Sequence, residues 1–386
     1  MTVLPAAEWL DREDLSAMVA ALGPGNARYV GGAVRDTLLG LAVKDIDIAT
    51  PLTPQDVIRR LKKAGVRTIP TGIDHGTVTA LLPEGPVEIT TLRHDVSTDG
   101  RRATVAFAQD WREDAGRRDF TINALYADPG TRAVHDWFGG LDDLAARRVR
   151  FIGDARQRIR EDHLRILRYF RFQARFGSQP ADDEAESACA ELAATLKGLS
   201  RERIGMEMMN LLGLPDPAPT VARMEQLGVL DQVLPRADTV ALARLVAAER
   251  AENVGPDPLR RLAALLPAGQ ADAVAARFRL SNAQKKRLAT AILPETGEDL
   301  HARVLAYRLG RESALDRLLL SGQSTAPLAG WDIPQFPLKG GDIVAAGITA
   351  GPQVARILRR VEDRWLAEGF PEAARVRTIL AEELAR

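Results

Sequence analysis

The 386-residue chain contains a single cysteine, Cys189. This excludes a disulfide framework and any metal site built from several thiolates. It has no unbroken apolar run of ~18 residues, so no membrane-spanning helix is expected. Met1 to Asp14 lack the basic start, apolar stretch and small-residue cleavage site of a signal peptide. Together these absences give the expectation of a reducing, cytoplasmic location. Histidine is scarce, with five in all, and His94, His135, His163 and His301 show no metal-ligand spacing. There is no repeat of fixed period. Net charge is absent too: 52 basic side chains balance 52 acidic ones, which by itself argues mildly against a nucleic-acid partner.

The distribution of charge says more than its sum. Between Arg147 and Arg175 stand ten arginines, against only Asp154, Glu161 and Asp162. A local field of this kind attracts phosphates while the molecule as a whole stays neutral.

The length calls for two or three domains, and the texture of the sequence changes once, near Gly140. Before it, Val43–Ile48, Thr77–Leu82 and Val87–Leu92 read as short strands, interrupted by Pro70, Gly72, Pro83, Gly85 and Pro86. After it, Ala, Leu, Arg and Glu recur at helical spacing to the end. The fold class expected is α+β, a small mixed sheet with helices followed by an all-helical remainder. Breakers at Leu214–Pro219 and Val254–Pro258, and a Pro/Gly-rich stretch at Ser321–Gly341, mark boundaries within the helical part.

The strongest local signal runs from Tyr29 to Thr50. An apolar strand end leads into Gly31 and Gly32, then into a helix predicted over Ala33–Leu39, with Gly40 to close it. Glycines at such a turn let backbone N–H groups approach a phosphate closely, and Arg35 lies in the first helical turn. Asp45 and Asp47 follow. Two residues apart on a strand, they point to one face while Ile46 and Ile48 enter the core. Two converging carboxylates repel each other unless a cation sits between them, and Mg²⁺ is the natural occupant. Glu88, alternating with Val87 and Ile89, could add a third ligand from a neighbouring strand.

Joined within 17 residues, the GGxVRD turn, the helix and the DxD pair resemble the signature of the nucleotidyltransferase superfamily that contains DNA polymerase β. The resemblance is to its class II branch, which holds the tRNA CCA-adding enzymes and the bacterial poly(A) polymerases. It implies a polymerase-β-type head over residues 1–140, a neck over 141–213, and a helical body (214–290) and tail (291–386) that grip RNA. Arg117 to Leu125 is similar to the family's second motif. Arg118 there suits a phosphate, and Asp119 and Asn123, four apart on a helix face, suit ribose hydroxyls. Asp136 to Leu144 resembles a third motif thought to act as a hinge.

Glu161 to Arg168 resembles the fourth motif, EDxxR, and Arg171 continues its spacing. Asp162, Arg165 and Arg168, three apart, form one stripe of a helix. An Asp acceptor beside an Arg donor complements the edge shared by C and A, an amine next to a ring nitrogen, and opposes that of U and G. Leu199 to Leu212 resembles the fifth, neck motif, with Ser200 as helix cap.

The resemblance therefore implies addition of C, C and A to the 3′ end of tRNA from CTP and ATP. Asp45 and Asp47 would hold Mg²⁺, two ions by the family's pattern, and Gly31, Gly32, Arg35 and Arg118 the triphosphate. No obligate protein partner is evident. Bacterial poly(A) polymerase shares the head, but the TGxxHGTVT pattern around His75 (Thr71 to Ala80) follows the CCA-adding branch. The segment Arg93 to Asp110 looks full length, unlike that of CC-only enzymes, while A-only enzymes share every motif. A phosphohydrolase domain needs His/Asp clusters, and only one histidine follows Asn210.

Overall fold

A computed structural model describes residues 2–99, 102–267, 269–292 and 301–385. Two compact units are present. The first is made of Met1–Ala243, Pro256–Pro267 and Ala273–Leu280; the second of Arg244–Gly255, Ala268–Asp272 and Ser281–Arg386. The expected head and neck both fall in the first.

The first unit opens with α1 (Glu13–Leu22), β1 (Arg28–Val30) and α2 (Gly32–Leu38). Next come β2 (Asp47–Thr50), α3 (Pro54–Lys63), β3 (Arg67–Gly72), β4 (Thr77–Leu82) and β5 (Gly85–Thr91). A separate hairpin, β6 (Arg93–Asp99) with β7 (Arg102–Phe107), precedes α4 (Trp111–Gly116), β8 (Tyr126–Ala127) and β9 (Val134–His135). Gly100 and Arg101, within the segment expected to distinguish CC-only enzymes, lie outside the described residues.

Seven strands make one sheet in the order β3-β4-β5-β2-β1-β8-β9. Only β2 and β5 run parallel, and their register sets Asp47 directly beside Glu88. The other pairings in that sheet are antiparallel. Val30, Ala49, Leu92, Ala124 and Tyr126 are buried together beneath it.

The strand expected over Val43–Ile48 begins instead at Asp47. The reason lies in β1, which offers only Arg28–Val30 as partners for residues 47–49. At Gly31 the chain turns away with φ +69°, so the segment before Asp47 has no neighbour on that side, and Asp45 sits in an exposed lead-in. The strand expected over Val87–Leu92 is β5, starting two residues earlier; β3 went unread because its residues are mostly exposed and carry Pro70 and Gly72.

The span expected to form the neck carries α5 (Gly140–Ala145), α6 (Ala155–Glu161), α7 (Arg165–Phe176), α8 (Asp183–Glu191) and α9 (Arg201–Leu212). In the segment Asp136 to Leu144, expected to act as a hinge, Gly140 makes a close approach to the Thr121 backbone. A Cβ on Gly140 would lie 2.3 Å from the Thr121 carbonyl oxygen and 3.0 Å from Leu125 Cδ2. Asp143, fully buried, fastens the same junction by accepting from Thr121 Oγ1 at 2.6 Å and Arg150 Nε at 2.9 Å. We predict that Gly140→Ala loses ~1–3 kcal/mol of stability in urea unfolding, because backbone must move. Gly198→Ala, with open space around it and ordinary backbone, should stay within ~0.5 kcal/mol of the parent.

The second unit is helical among its described residues. Its helices Pro352–Ala367 and Ala373–Leu384 bury Ile357, Val361, Trp365, Val376 and Ile379, and Trp365 Nε1 donates to the Pro371 carbonyl at 2.8 Å. No helix of the described chain is long and apolar enough to cross a membrane.

Candidate active site

The β1–α2 turn, the start of β2 and the middle of β5 bring the first group of residues together. Asp47 is half-buried at the head of β2, with Glu88 beside it and Asp45 just before it. Burial pushes the Asp47 carboxyl above its ordinary range, and the charges of Glu88 and Asp45 push it further, against the pull of Arg118. A carboxylate penalised by desolvation and by like charges is one that a divalent cation relieves. Among the described residues no group of three or more His, Cys, Asp or Glu side chains is arranged to hold a metal ion. Glu88 stands beside Asp47 in the sheet register.

Arg118 faces this group across the glycine turn. A Cβ on Gly31 would lie 3.4 Å from its Nη1 and 3.7 Å from the Asn123 carbonyl, which are ordinary contacts, so it is the φ of +69° that calls for glycine in the turn. The Arg118 Nε donates to Tyr126 Oη at 3.0 Å, and its Nη2 to Asp114 at 3.5 Å. Burial acts to lower the Arg118 pKa, but Tyr126, Asp114 and Asp47 together hold it above its ordinary value. It is a fixed cation.

Arg35 is placed otherwise than expected. It is 5% exposed, bonds Asp36 at 2.7 Å and Asn123 Oδ1 at 2.5 Å, and stacks on Phe176 with its guanidinium 4.1 Å from the ring centre. Its charge serves the interior, not an open phosphate site. Gly32 starts α2, where a Cβ would lie 3.7 Å from Arg35 Nη2.

Asp119 and Asn123 do meet, with Asn123 Nδ2 donating to Asp119 Oδ1 at 3.0 Å. The helix expected there is a single 3-10 turn over Thr121–Asn123, because Phe120 is extended and its N–H is taken by Asp119 Oδ1 at 2.9 Å. Burial works to raise the Asp119 carboxyl, yet Arg168 and Asn123 hold it below its usual range. Arg168 Nε donates to Asp119 Oδ2 at 2.7 Å, and Arg171 Nε to Glu207 Oε2 at 2.6 Å. Arg35, Asn123, Asp119 and Arg168 thereby form one polar ladder from head to neck.

The stripe expected from Asp162 to Arg168 is not one helix. Helix α6 stops at Glu161, Asp162 is extended (φ −151°, ψ 103°), and α7 starts at Arg165. The break follows from Asp162 itself, whose Oδ1 accepts from the Leu164 N–H at 3.2 Å, a local bond that competes with helix. Arg165 Nη1 bonds Glu161 at 2.7 Å and its Nη2 the Arg117 carbonyl at 3.3 Å. That contact joins the start of α7 to the chain one residue before Arg118. The Asp162 Oδ2 accepts from Arg203 Nη2 of α9 at 2.6 Å. Asp114, Tyr126, Arg203 and Glu207 were missed as supporting residues. The signals were there, since Asp114 precedes Arg118 by four and Arg203 precedes Glu207 by four.

The match to known sequences agrees with this geometry. Residues 27–150 fit the family described as the poly A polymerase head domain, and 182–240 the probable RNA and SrmB-binding site of polymerase A. A CCA tRNA nucleotidyltransferase 1, mitochondrial, from Danio rerio is 38% identical over 359 residues, covering 88% of this chain and 83% of its own. The chain belongs to the CCA tRNA nucleotidyltransferase family. A CCA-adding enzyme from Geobacillus stearothermophilus is 39% identical over 228 residues, 58% of this chain and 55% of its own. A crystal structure of the Bacillus stearothermophilus CCA-adding enzyme in complex with CTP superposes with a TM-score of 0.77, at 27% identity over 97% of this chain and 98% of that one. The Thermotoga maritima CCA-adding enzyme complexed with tRNA, at 19% identity and TM-score 0.70, shares the fold, over 100% of this chain and 99% of that one. Within this CCA tRNA nucleotidyltransferase chain, the Arg165 bond to the Arg117 carbonyl ties α7 to the segment that carries Arg118.

Proposed function

We propose that the chain adds C, C and A in turn to the 3′ end of tRNA, taking CTP and ATP and releasing pyrophosphate. The observation that carries this reading is the register of Asp47 beside Glu88, facing Arg118, at a junction with the Asp162–Arg165 segment. Asp45 and Asp47 would hold Mg²⁺, which when bound would neutralise charge on the triphosphate and lower the pKa of the RNA 3′-hydroxyl. Glu88 keeps that corner of the sheet acidic. Gly31 and Gly32 leave room for phosphate oxygens to approach the backbone, and Arg118, locked by Tyr126 and Asp114, meets them with positive charge.

Asp162 offers an acceptor to the exocyclic amine of C or A, and Arg165 a donor to the ring nitrogen; both edges are wrong for U and G. Arg165 is engaged by Glu161 in the free protein, so reading a base requires it to share or release that partner. Asp119, Asn123, Arg35, Arg168 and Arg171 act behind the nucleotide. Their ladder fixes the distance between the carboxylates and the base-reading residues, with the ribose lying against Asp119 and Asn123.

In this reading residues 1–140 are the catalytic head and 141–213 the neck. Residues 214–290 and 291–386 are the body and tail that hold tRNA through its phosphates. A reducing compartment, the cytoplasm, suits the free, buried Cys189; the vertebrate relatives are named as mitochondrial. Incubation with labelled CTP or ATP and tRNA lacking its CCA end tests the proposal. Incorporation that depends on Mg²⁺ and stops with EDTA is the expected result. Absence of incorporation by folded protein that still binds tRNA would make it a binding protein on this fold.

A further inference from the structure

Asp162 does not take its orientation from a helix. It lies in the gap between α6 and α7, and its two carboxylate oxygens are held separately, Oδ1 by the Leu164 N–H and Oδ2 by Arg203 Nη2. Arg165 does not hold it; that guanidinium is spent on Glu161 and on the carbonyls of Arg158 and Arg117. Among the described residues Arg203 is the one side chain bonded to Asp162.

Arg203 stands on α9, a helix well anchored for the task. Ser200 Oγ caps it by accepting the Arg203 N–H at 3.3 Å. Two residues further on, a Cβ on Gly205 would lie 2.6 Å from the Phe278 carbonyl oxygen, so the helix backbone presses directly on its neighbour. One turn past Arg203, Glu207 is 3% exposed and bonds Arg171 at 2.6 Å. The same helix therefore offers a cation to the acceptor of the base-reading segment and an anion to its arginines.

We infer that Arg203 is a positioning residue for nucleotide selection: it holds the Asp162 carboxylate in the single orientation that accepts from the amine of C or A. The inference rests on the base-reading role given to Asp162 above. A carboxylate free to swing into water would accept from C less well and tolerate the carbonyl of U. The pair is only part-buried, with side chains 34% and 26% exposed. Such pairs add little to stability, so selection can be lost while the fold remains.

The test measures kcat/KM for CTP and for UTP on tRNA lacking its CCA end. Arg203→Met should lower the CTP:UTP ratio by roughly tenfold, the scale of one charge-assisted bond to a base-reading group. Arg203→Lys should restore most of it, and the melting temperature should hardly move. In an Asp162→Ala background, Arg203→Met should have no further effect on the ratio. If Arg203→Met slows CTP and UTP equally, Arg203 is structural and the inference falls while the reading of Asp162 stands. If Asp162→Ala itself leaves the ratio unchanged, the base-reading assignment fails first. Should the methionine variant not fold, Arg203→Gln, which keeps a donor without the charge, decides by the same ratio.

Discussion

Asp45→Asn and Asp47→Asn should each reduce nucleotide addition by roughly a thousandfold or more, the scale of removing a main electrostatic support of the transition state. Binding of tRNA should be nearly unchanged, because neither side chain is a core contact. The effect on stability should run the other way for Asp47. Its folded pKa is raised by burial and by its acidic neighbours, so the unfolded chain ionises first. Above the unfolded pKa this difference costs stability, and the full cost is present at neutral pH. Asp47→Asn should therefore melt at a higher temperature than the parent when no divalent cation is present. Mg²⁺ should raise the melting temperature of the parent by ligand linkage, and should do little for either variant. Activity within tenfold of the parent in both variants would remove the site assignment. A lower melting temperature for metal-free Asp47→Asn would contradict its electrostatics.

Asp162→Ala should relax discrimination rather than simply slow the enzyme. The lost acceptor weakens CTP and ATP, and the lost repulsion admits UTP and GTP, so both changes narrow the gap. The difference between CTP and UTP should shrink by about 1–3 kcal/mol, the worth of one good base-edge pair. The readout is the set of kcat/KM ratios on tRNA lacking its CCA end. Ratios that stay fixed while kcat falls for every nucleotide would make the segment structural and place base reading elsewhere.

How far these residues were legible in the sequence depends on how local their interactions are. The glycine turn, α2 and its closure at Gly40 were readable because each depends on neighbours in sequence: Gly40 adopts φ +67°, and Ser200 caps α9. The face-sharing of Asp45 and Asp47 was readable only in outline. Where β2 starts is decided by the length of β1, a partner distant in sequence.

The helix expected through Asp162 failed for a similar reason. Periodicity places Asp162, Arg165 and Arg168 in one stripe, but the Asx-type bond to Leu164 and the pull of Arg203 win at that position. Arg35 illustrates the limit most plainly. An arginine in a glycine-rich turn suggests phosphate, and nothing nearby in the sequence announces that Phe176 and Asn123 will enclose it.

The central claim, that one site adds all three nucleotides and then stops, is tested most directly by product length on defined tRNA ends. With CTP alone, tRNA lacking the whole CCA end should grow by two nucleotides; with CTP and ATP it should grow by three and stop. The CC-ended tRNA should gain a single A, and the complete tRNA nothing. A ladder of added A residues would mark a poly(A) polymerase. Growth confined to the CC-ended tRNA would mark an A-only enzyme, and arrest at two nucleotides with both substrates present a CC-only one. Any of these three outcomes would contradict the account.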